Sequence, residues 1–528
     1  MPLDKARDAA RKRSARKDGT VDKGKEAARR QKAYYEKQAK KGNPNAQFKL
    51  GCIYWEGSDA VKKDILMAAT WFRKAAHQGH EGAQLNLNVM IANGLEVTPV
   101  EASIAMNDQG ACEKKARTMD ANAEPAGKKA RLADSIERYW EAAEQGDAEA
   151  QFNLGTKFES GKGTDQDYSK ALGWFRKAAE QGHADAQTSL GSMFHHGEGT
   201  VKDDDEALTW YRKAAEQGCA RAQNNLGTML NHGQGTEQDD DEALDWFRKA
   251  AEQECACAQT NLGTMFYYGF GTDQDYSKAL DWFRKANEQG CARAQFSLGT
   301  MFKYGQGTEK DDSEAMGWYR KAAEQGRADA QFSLGYMLKY GQGTEQDDSE
   351  ALGWYRKAAE QGRADAQFFL GSMFEFGQGT EKDDSEALGW YRKAAEQGDA
   401  YAQFSLGYML KYGQGTDQDD SEALGWYRKA AEQGHADAQC RLGLMFKNGQ
   451  GTDQDDSEAL AWYRKAAEQG DADAQFSVGT MFKFGQGTDQ DDSEALGWYR
   501  KAAEQGNAAA QFSVGTMFKF GQGTDQDD

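Results

Sequence analysis

The sequence contains little proline. Because proline removes a backbone donor and breaks helix interiors, its scarcity favours an all-helical chain. No segment alternates apolar and polar residues as a half-buried strand does, and no run of 18 apolar residues is present. The sequence therefore predicts an all-α fold without a membrane-spanning helix. The four prolines among the 528 residues are Pro2, Pro44, Pro99 and Pro125.

Cysteine is also scarce. The seven cysteines are an odd number, and Cys219, Cys255 and Cys291 follow one another at intervals of 36 residues. Equivalent positions of stacked helical repeats lie on the order of 10 Å apart, whereas the Cα atoms of a disulfide lie within about 7 Å. We therefore expect free thiols, no metal site and a reducing compartment, the cytoplasm.

Positive charge is lacking outside the N-terminus. Residues 1–42 contain 15 Lys/Arg and 6 Asp/Glu, a net charge of +9. The rest of the chain has a net charge of −29, and the two together give −20. An acidic surface opposes binding to nucleic-acid phosphates, and we predict no nucleic-acid partner. Basic runs at 11–17 and 128–131 leave nuclear import as an alternative to a purely cytoplasmic location.

What the sequence does contain is a strict repeat. Tryptophan recurs every 36 residues through most of the chain. A fixed period of this size is typical of a solenoid, in which each unit contacts only its neighbours. We expect these tryptophans to form the structural core. They are Trp174, Trp210, Trp246, Trp282, Trp318, Trp354, Trp390, Trp426, Trp462 and Trp498.

Each repeat reads as a pair of helices. Asp311 and Glu314 have the spacing of a capping box, which begins a helix. Apolar residues then follow at helical intervals as far as Gly326, which suits a helix C-terminus. A second helix is predicted from about Ala328 to Tyr340. The fold class is therefore an all-α, α/α solenoid of ~36-residue helical hairpins.

The block AQFSLGYMLKYGQGT, followed by DSEALGWYRKAAEQG, recurs over residues 134–528 and, more loosely, over 33–94. It resembles the Sel-1-like repeat, a relative of the tetratricopeptide repeat. Thr344 stands where that family usually has valine, and Arg138 where the first unit should have tryptophan. The resemblance implies a right-handed α/α superhelix with a concave groove. It also implies an adaptor, as in protein quality control or signalling assemblies.

Period and composition predict four regions. Residues 1–24 form a basic, disordered tail, and residues 25–94 form a short repeat array. Residues 95–133 break the period and form an irregular linker, which is either a hinge or a decayed repeat. Residues 134–528 form the long array.

The C-terminal end of the long array has no predicted cap. The sequence stops at GQGTDQDD, where the next tryptophan helix should begin, and the last helix would present Phe512, Met517 and Phe518. Solenoids usually finish with a polar capping helix. We expect either an incomplete chain or end-to-end self-association of copies through this surface.

Comparison of the repeats with one another indicates a binding surface. In the second helix the variable positions fall on one face, and the nearly invariant positions fall on the opposite face, which packs the solenoid. Aromatic residues and lysines on the variable face suit a peptide with apolar side chains and carboxylates. The alternative is that the rings merely fill the seam between repeats. The predicted groove residues are Phe332, Tyr336, Lys339, Tyr340, Phe368, Phe376, Phe404, Tyr408, Lys411 and Tyr412.

These features predict a non-enzymatic scaffold or adaptor that binds a protein or peptide segment and needs no cofactor. An active site requires one unique constellation, whereas an array of near-copies offers none. The alternative is a hydrolase of the β-lactamase type, as suggested for some relatives of the repeat. Ser14 and Lys17 have the S-x-x-K spacing, but no S-D-N or K-T-G accompanies them.

Overall fold

The computed structural model describes residues 32–39, 43–56, 65–76, 83, 86 and 139–523, and the regular structure in these residues is α-helical. The predicted tail and linker, residues 1–24 and 95–133, lie outside the described residues. Within the described part, none of the helices is long and apolar enough to cross a membrane. The all-α prediction is confirmed.

Two kinds of helix alternate along the chain. We call one the Trp helix, after its repeated tryptophan, and the other the Gln helix, after the Ala-Gln pair near its start. The Trp helices span Ile65–Ala76, Tyr168–Glu180, Asp204–Glu216, Asp240–Glu252, Tyr276–Glu288, Asp312–Glu324, Asp348–Glu360, Asp384–Glu396, Asp420–Glu432, Asp456–Glu468 and Asp492–Glu504. The Gln helices span Pro44–Glu56, Ala148–Ser160, Ala184–His196, Ala220–His232, Ala256–Tyr268, Ala292–Tyr304, Ala328–Lys339, Ala364–Phe376, Ala400–Tyr412, Ala436–Asn448, Ala472–Phe484 and Ala508–Phe520. Residues 32–39 and 139–144 are also helical.

The chain divides into two compact units, residues 101–423 and residues 1–100 with 424–528. Within each unit a Gln helix packs against the Trp helix before it and, more extensively, against the Trp helix after it. Such packing between sequence neighbours is that of an α/α solenoid built from helical hairpins, as predicted.

An aspartate caps the start of the Trp helices. Asp311 Oδ1 accepts a hydrogen bond from the backbone N–H of Glu314 at 2.9 Å. The predicted capping box is only half formed, because the Glu314 carboxylate instead accepts the indole N–H of Trp318 at 2.9 Å. The backbone N–H of Asp311 already donates to the carbonyl of Phe302 at 2.9 Å. The glutamate can therefore orient the tryptophan without leaving that donor unsatisfied.

Glycines in the left-handed region end the helices. Gly326 and Gly341 have φ angles of +90° and +62°, and both positions follow a helix as predicted. Gly343, in the loop that leads to the next repeat, has a further role. A Cβ atom there would collide with the backbone of Asp312, at the start of the preceding Trp helix. The loop therefore crosses a neighbouring helix at a distance that only glycine permits.

The central packing contact of each repeat joins an aromatic ring to a glycine. A Cβ atom added to Gly299, in the Gln helix Ala292–Tyr304, would lie 2.7 Å from the ring of Tyr319 in the next Trp helix. Tyr319 directly follows the repeated tryptophan and is completely buried. Gly155 and Phe175 make the same contact at 2.7 Å. We call this the ring–glycine contact, and it fixes how closely the two helices approach.

A ladder of glutamine pairs, in which one glutamine of each pair is buried, links successive repeats. The side-chain amide of Gln331 donates to the carbonyl of Ala323 at 3.1 Å, and its oxygen accepts from the amide of Gln361 at 2.7 Å. The same bond between glutamines 30 residues apart recurs along the array. Because a buried amide without partners is costly, these bonds explain how a polar residue occupies the core. The sequence analysis did not assign this role to the glutamine.

The repeated tryptophans lie nearer the surface than the rings that follow them. A lysine three residues later covers each indole, with its Nζ atom 3.7–4.0 Å from the ring centroid. The tryptophan therefore joins the core to the solvent-facing side of its helix. Buried examples are Trp174, Trp210, Trp354, Trp426 and Trp462, and half-buried examples are Trp246, Trp282, Trp318, Trp390 and Trp498.

Replacing Gly299 by alanine is expected to lower the thermal midpoint of unfolding. The new Cβ atom would overlap the Tyr319 ring, and such overpacking costs about 1–3 kcal/mol. Gly317→Ala is the matched control, because a Cβ atom at Gly317 meets nothing within 4 Å. We expect this control to stabilise the protein by about 0.5–1 kcal/mol. Thermal unfolding followed by circular dichroism compares them, and equal midpoints would contradict the ring–glycine constraint.

Candidate partner-binding surface

One face of the Gln helix is left uncovered by the Trp helices. In the helix Ala328–Lys339, Ala330, Leu334 and Met337 are completely buried. Asp329 and Tyr336, which lie at variable positions, are half-buried. The helix therefore uses one side for packing and presents part of the other to solvent.

The predicted groove residues differ in exposure. The Phe332 ring lies 5.6 Å from the rings of both Tyr355 and Phe369, so it fills the seam between repeats. The alternative that the rings fill the seam therefore describes Phe332. Other predicted rings are open to solvent, and for these binding stays a prediction. Phe332 is buried, Tyr336, Lys339, Phe368, Phe404, Tyr408 and Lys411 are half-buried, and Tyr340, Phe376 and Tyr412 are 52%, 65% and 51% exposed.

The predicted lysines are paired within the protein. Lys339 lies 3.3 Å from a carboxylate oxygen of Asp348. Lys411 lies 2.9 Å from Asp420, and hydrogen bonds from Gln418 and Lys411 hold the pKa of Asp420 below its usual value. Both lysine side chains are mostly buried. Their charges are therefore used in joining the Gln helix to the next Trp helix, which leaves the exposed rings as the principal groups facing solvent.

Aromatic residues occupy the C-terminal end of five successive Gln helices. The flanking repeats have His232 and Asn448 at this position, so the series is bounded on both sides. Three of the five are more than half exposed, and exposed apolar patches commonly mark binding sites. We call this series the aromatic row, and it consists of Tyr268, Tyr304, Tyr340, Phe376 and Tyr412.

Phe369 links the rings of adjacent repeats. Its ring stacks on Tyr355 at a centroid distance of 5.3 Å and lies 6.1 Å from Tyr336. The sequence analysis did not single out Phe369. The available signal was its departure from a position that is otherwise polar, as at Ser333 and Ser405. Its contacts make the middle of the array more aromatic than the repeat pattern alone indicates.

The residue before a Gln helix can place a charge beside these rings. Arg363 precedes the helix Ala364–Phe376, and its guanidinium carbon lies 4.9 Å from the centroid of Phe332. Asp399 occupies the same place one repeat later, where its carboxylate accepts the backbone N–H of Ala402 at 2.7 Å. Burial, together with the neighbouring carboxylate of Asp365, raises the pKa of Asp399 to about 6. The two repeats therefore place opposite charges at equivalent positions.

Asp399→Asn is expected to raise the thermal midpoint at pH 7 and to change it little near pH 4. The folded-state pKa of about 6 exceeds the usual 3.8, so the stability from this group is present below about pH 3.8 and lost as the pH rises through about 6. Asparagine caps helices about as well as aspartate, so the cap is retained. Thermal unfolding of both proteins at the two pH values checks this, and a difference independent of pH would contradict it.

The repeat geometry corresponds to a known family. A model of the Sel1 repeat matches twelve stretches of the chain, which together cover most of its length. Comparison with curated proteins gives no match. The matched residues are 44–80, 148–183, 184–219, 220–255, 258–291, 292–326, 328–362, 364–399, 400–435, 436–471, 472–507 and 508–528.

A solved structure agrees with this match. The chain is similar to c5321, described as a protective antigen present in uropathogenic Escherichia coli strains displaying an SLR fold. The identity is 31% over 92% of this chain and 90% of that chain, with a TM-score of 0.57. A Sel1 repeat protein from Oxalobacter formigenes is 36% identical over 59% of this chain and 90% of that chain, with a TM-score of 0.44. Proteins with this repeat are helical scaffolds that typically mediate protein interactions, and this chain belongs to the Sel1 repeat family.

Proposed function

We propose that the protein is a non-enzymatic scaffold or adaptor that binds a protein or peptide segment on the uncovered face of its Gln helices. The observation that carries the proposal is the aromatic row, in which Tyr340, Phe376 and Tyr412 are more than half exposed. Aromatic side chains dominate binding energies at protein interfaces, because they bury a large area with little loss of conformational freedom. A row with one ring per repeat suits a segment that runs across several repeats.

The pairing of Lys339 and Lys411 with aspartates alters the partner expected from the sequence. A partner carboxylate would have to compete with Asp348 and Asp420 for these lysines. We therefore propose a partner held mainly by apolar side chains. Protein quality control or a signalling assembly is the proposed setting. The cytoplasm is the proposed compartment, supported by the free thiols of the described cysteines, with the nucleus as the alternative.

The triple variant Tyr340→Ala, Phe376→Ala, Tyr412→Ala is expected to lose its partner. Removing three exposed rings takes away the proposed contact area without opening a cavity, so the fold is retained. The measurement is a quantitative pull-down with the full chain from lysate of the source cells, after circular dichroism has confirmed the helix content of each variant. We expect at least one protein to fall about tenfold or more with the triple variant, since a buried hot-spot ring contributes about 2 kcal/mol or more.

Phe484→Ala with Phe520→Ala is the matched control for this experiment. These rings occupy the same helix position and are 67% and 65% exposed, but Asn448 separates them from the aromatic row. The control should retain the proteins that the triple variant loses. Identical protein sets from wild type and triple variant would reject the aromatic row as the binding surface.

We also propose that copies of the chain associate end to end through the Gln helix Ala508–Phe520. A Cβ atom at Gly515 would meet nothing within 4 Å, whereas the equivalent Gly479 carries the Tyr499 ring at 2.7 Å. Phe512, on the same helix, is 77% exposed. The helix thus has the surface on which a Trp helix lies elsewhere in the array. A helix of a second copy whose ring does not already lie on a glycine of its own chain would complete the ring–glycine contact.

Gly515→Ala is expected to weaken this association about tenfold or more, because its Cβ atom would occupy the place of the incoming ring. It should not lower the thermal midpoint of the isolated chain. Gly497→Ala is the control, since a Cβ atom there also meets nothing within 4 Å but lies on a Trp helix. Sedimentation velocity over a range of protein concentrations measures the association. A wild-type chain that stays monomeric throughout would refute the proposal.

A further inference from the structure

Arg363, just before the start of a Gln helix, packs against an aromatic ring. Its guanidinium group lies over Phe332, in the preceding Gln helix, at 4.9 Å. Its nitrogens donate to Asp365 at 2.7 and 2.8 Å and also to Asp329, at the start of the preceding Gln helix. A ring face with carboxylates at its edge is a favourable site for a guanidinium group, which can stack and donate several hydrogen bonds at once.

Two further repeats contain the same arrangement. Arg327 precedes its Gln helix and lies over Phe296 at 5.3 Å. His183 holds the equivalent place near the start of the array, where its ring stacks on Phe152 at 4.8 Å and lies 3.0 Å from a carboxylate oxygen of Glu149. The position before the helix thus supplies a basic side chain to the ring of the preceding repeat.

The next repeat has the ring and the acid without the basic side chain. Phe368 stands in the place of Phe332, and Asp365 in the place of Asp329, but residue 399 is aspartate. Phe368, Asp365 and Asp399 are each half-buried, so solvent reaches all three. The position that carries a guanidinium group in two earlier repeats carries a carboxylate here.

We propose that Phe368, Asp365 and Asp399 form a binding site for a cationic side chain, guanidinium or ammonium, of the partner segment. This inference rests on the proposed function and specifies the partner. The cation lies over the Phe368 ring, as Arg363 lies over Phe332, and donates to the two carboxylates. Asp329 already shows that one carboxylate can serve two guanidinium groups, since it accepts from both Arg327 and Arg363.

The site and the aromatic row are joined by one helix. Phe368 and Phe376 lie on the same Gln helix, eight residues apart, which corresponds to about 12 Å along the helix axis. An extended chain covers this distance in about three to four residues. The partner segment therefore carries a basic residue about three or four positions from an apolar one, with the basic residue on Phe368 and the apolar residue on Phe376.

The charge state of Asp399 agrees with this assignment. Its raised pKa reflects its partial burial and, after that, the neighbouring carboxylate of Asp365. A bound cation would favour the ionised form, so binding should lower that pKa and release a proton near pH 6. The groups that face Asp399 within its unit are Asp365, whose partner is Arg363, and Tyr401, whose ring lies 6.0 Å from Phe368.

A second pair of carboxylates provides an internal control. Asp471 precedes the helix Ala472–Phe484, and Asp437 raises its pKa in the same way, after the larger effect of burial. The residue in the ring position there is Cys440, so no aromatic face accompanies the carboxylates. Of the two carboxylate pairs, only Asp365 and Asp399 occur together with an aromatic ring, as in the arrangement around Arg363.

The experiment compares two peptides that differ only in charge. Acetyl-Arg-Ala-Ala-Phe-amide is titrated into the full chain by isothermal titration calorimetry at about 50 mM salt, beside the same peptide with citrulline in place of arginine. We expect the arginine peptide to bind at least about tenfold more tightly to the wild type. The preference should vanish in Asp365→Asn with Asp399→Asn, and persist in Asp437→Asn with Asp471→Asn.

Asp399→Arg provides a second variant that fills the site from within the chain. Arginine already precedes Gln helices at Arg327 and Arg363, so the fold tolerates it. This variant should retain its helix content and lose the arginine preference. Equal binding of the two peptides to the wild type, or binding of neither, overturns the cation site. The pull-down with the Tyr340, Phe376 and Tyr412 triple variant tests the aromatic row separately. Its expected result does not depend on whether the two peptides differ in binding.

Discussion

A ring that lies directly on a glycine of the neighbouring helix sets the geometry of every repeat. At Gly299 and Tyr319 the approach leaves no room for a Cβ atom, so the separation of the two helices is fixed. With that separation fixed, Gln331 can reach both Ala323 and the amide of Gln361. The residues that face the ring or the ladder cannot change independently. The uncovered face of the Gln helix takes part in neither contact, so its residues can vary without disturbing them.

The predicted binding surface lies on this uncovered face of the Gln helix. The same helix position holds histidine at His232, tyrosine or phenylalanine through the aromatic row, and asparagine at Asn448. The buried positions of Ala330, Leu334 and Met337 keep the same residues throughout these repeats. A scaffold of this kind can alter its partner one repeat at a time. The Phe368 site shows the same principle with charge, because a single aspartate in place of arginine turns an internal contact into an open one.

Features that depend on neighbours in sequence could be predicted from the sequence. The helical hairpin, the Asp311 cap and the glycine stops at Gly326 and Gly341 were all predicted, and the second helix ends one residue earlier than expected, at Lys339. The predicted bond from the backbone N–H of Asp311 to the Glu314 side chain was wrong, because this N–H donates to a carbonyl of another helix. That acceptor depends on tertiary packing, which the motif spacing does not contain.

The side-chain partners of the candidate site could not be predicted for the same reason. Lys339 looked available for a ligand, yet it pairs with Asp348 and donates to Gln378, which is 39 residues away. Asp399 was not singled out from the sequence, because its burial and the nearby carboxylate of Asp365 depend on tertiary packing. Residues that depart from the repeat pattern indicate candidate positions. Their roles depend on the side chains that contact them from neighbouring helices.

The glutamine ladder has a consequence for how such a chain can change its length. Each rung joins residues 30 apart, each ring–glycine contact joins residues 20 apart, and both offsets recur with the 36-residue period. Excision or duplication of 36 consecutive residues therefore reconnects equivalent donors, acceptors and rings wherever the cut falls, even in mid-helix. A length that is not a whole multiple of 36 residues separates glycine from ring. Genetic recombination within the array can thus produce longer or shorter members that need no new contact between helices.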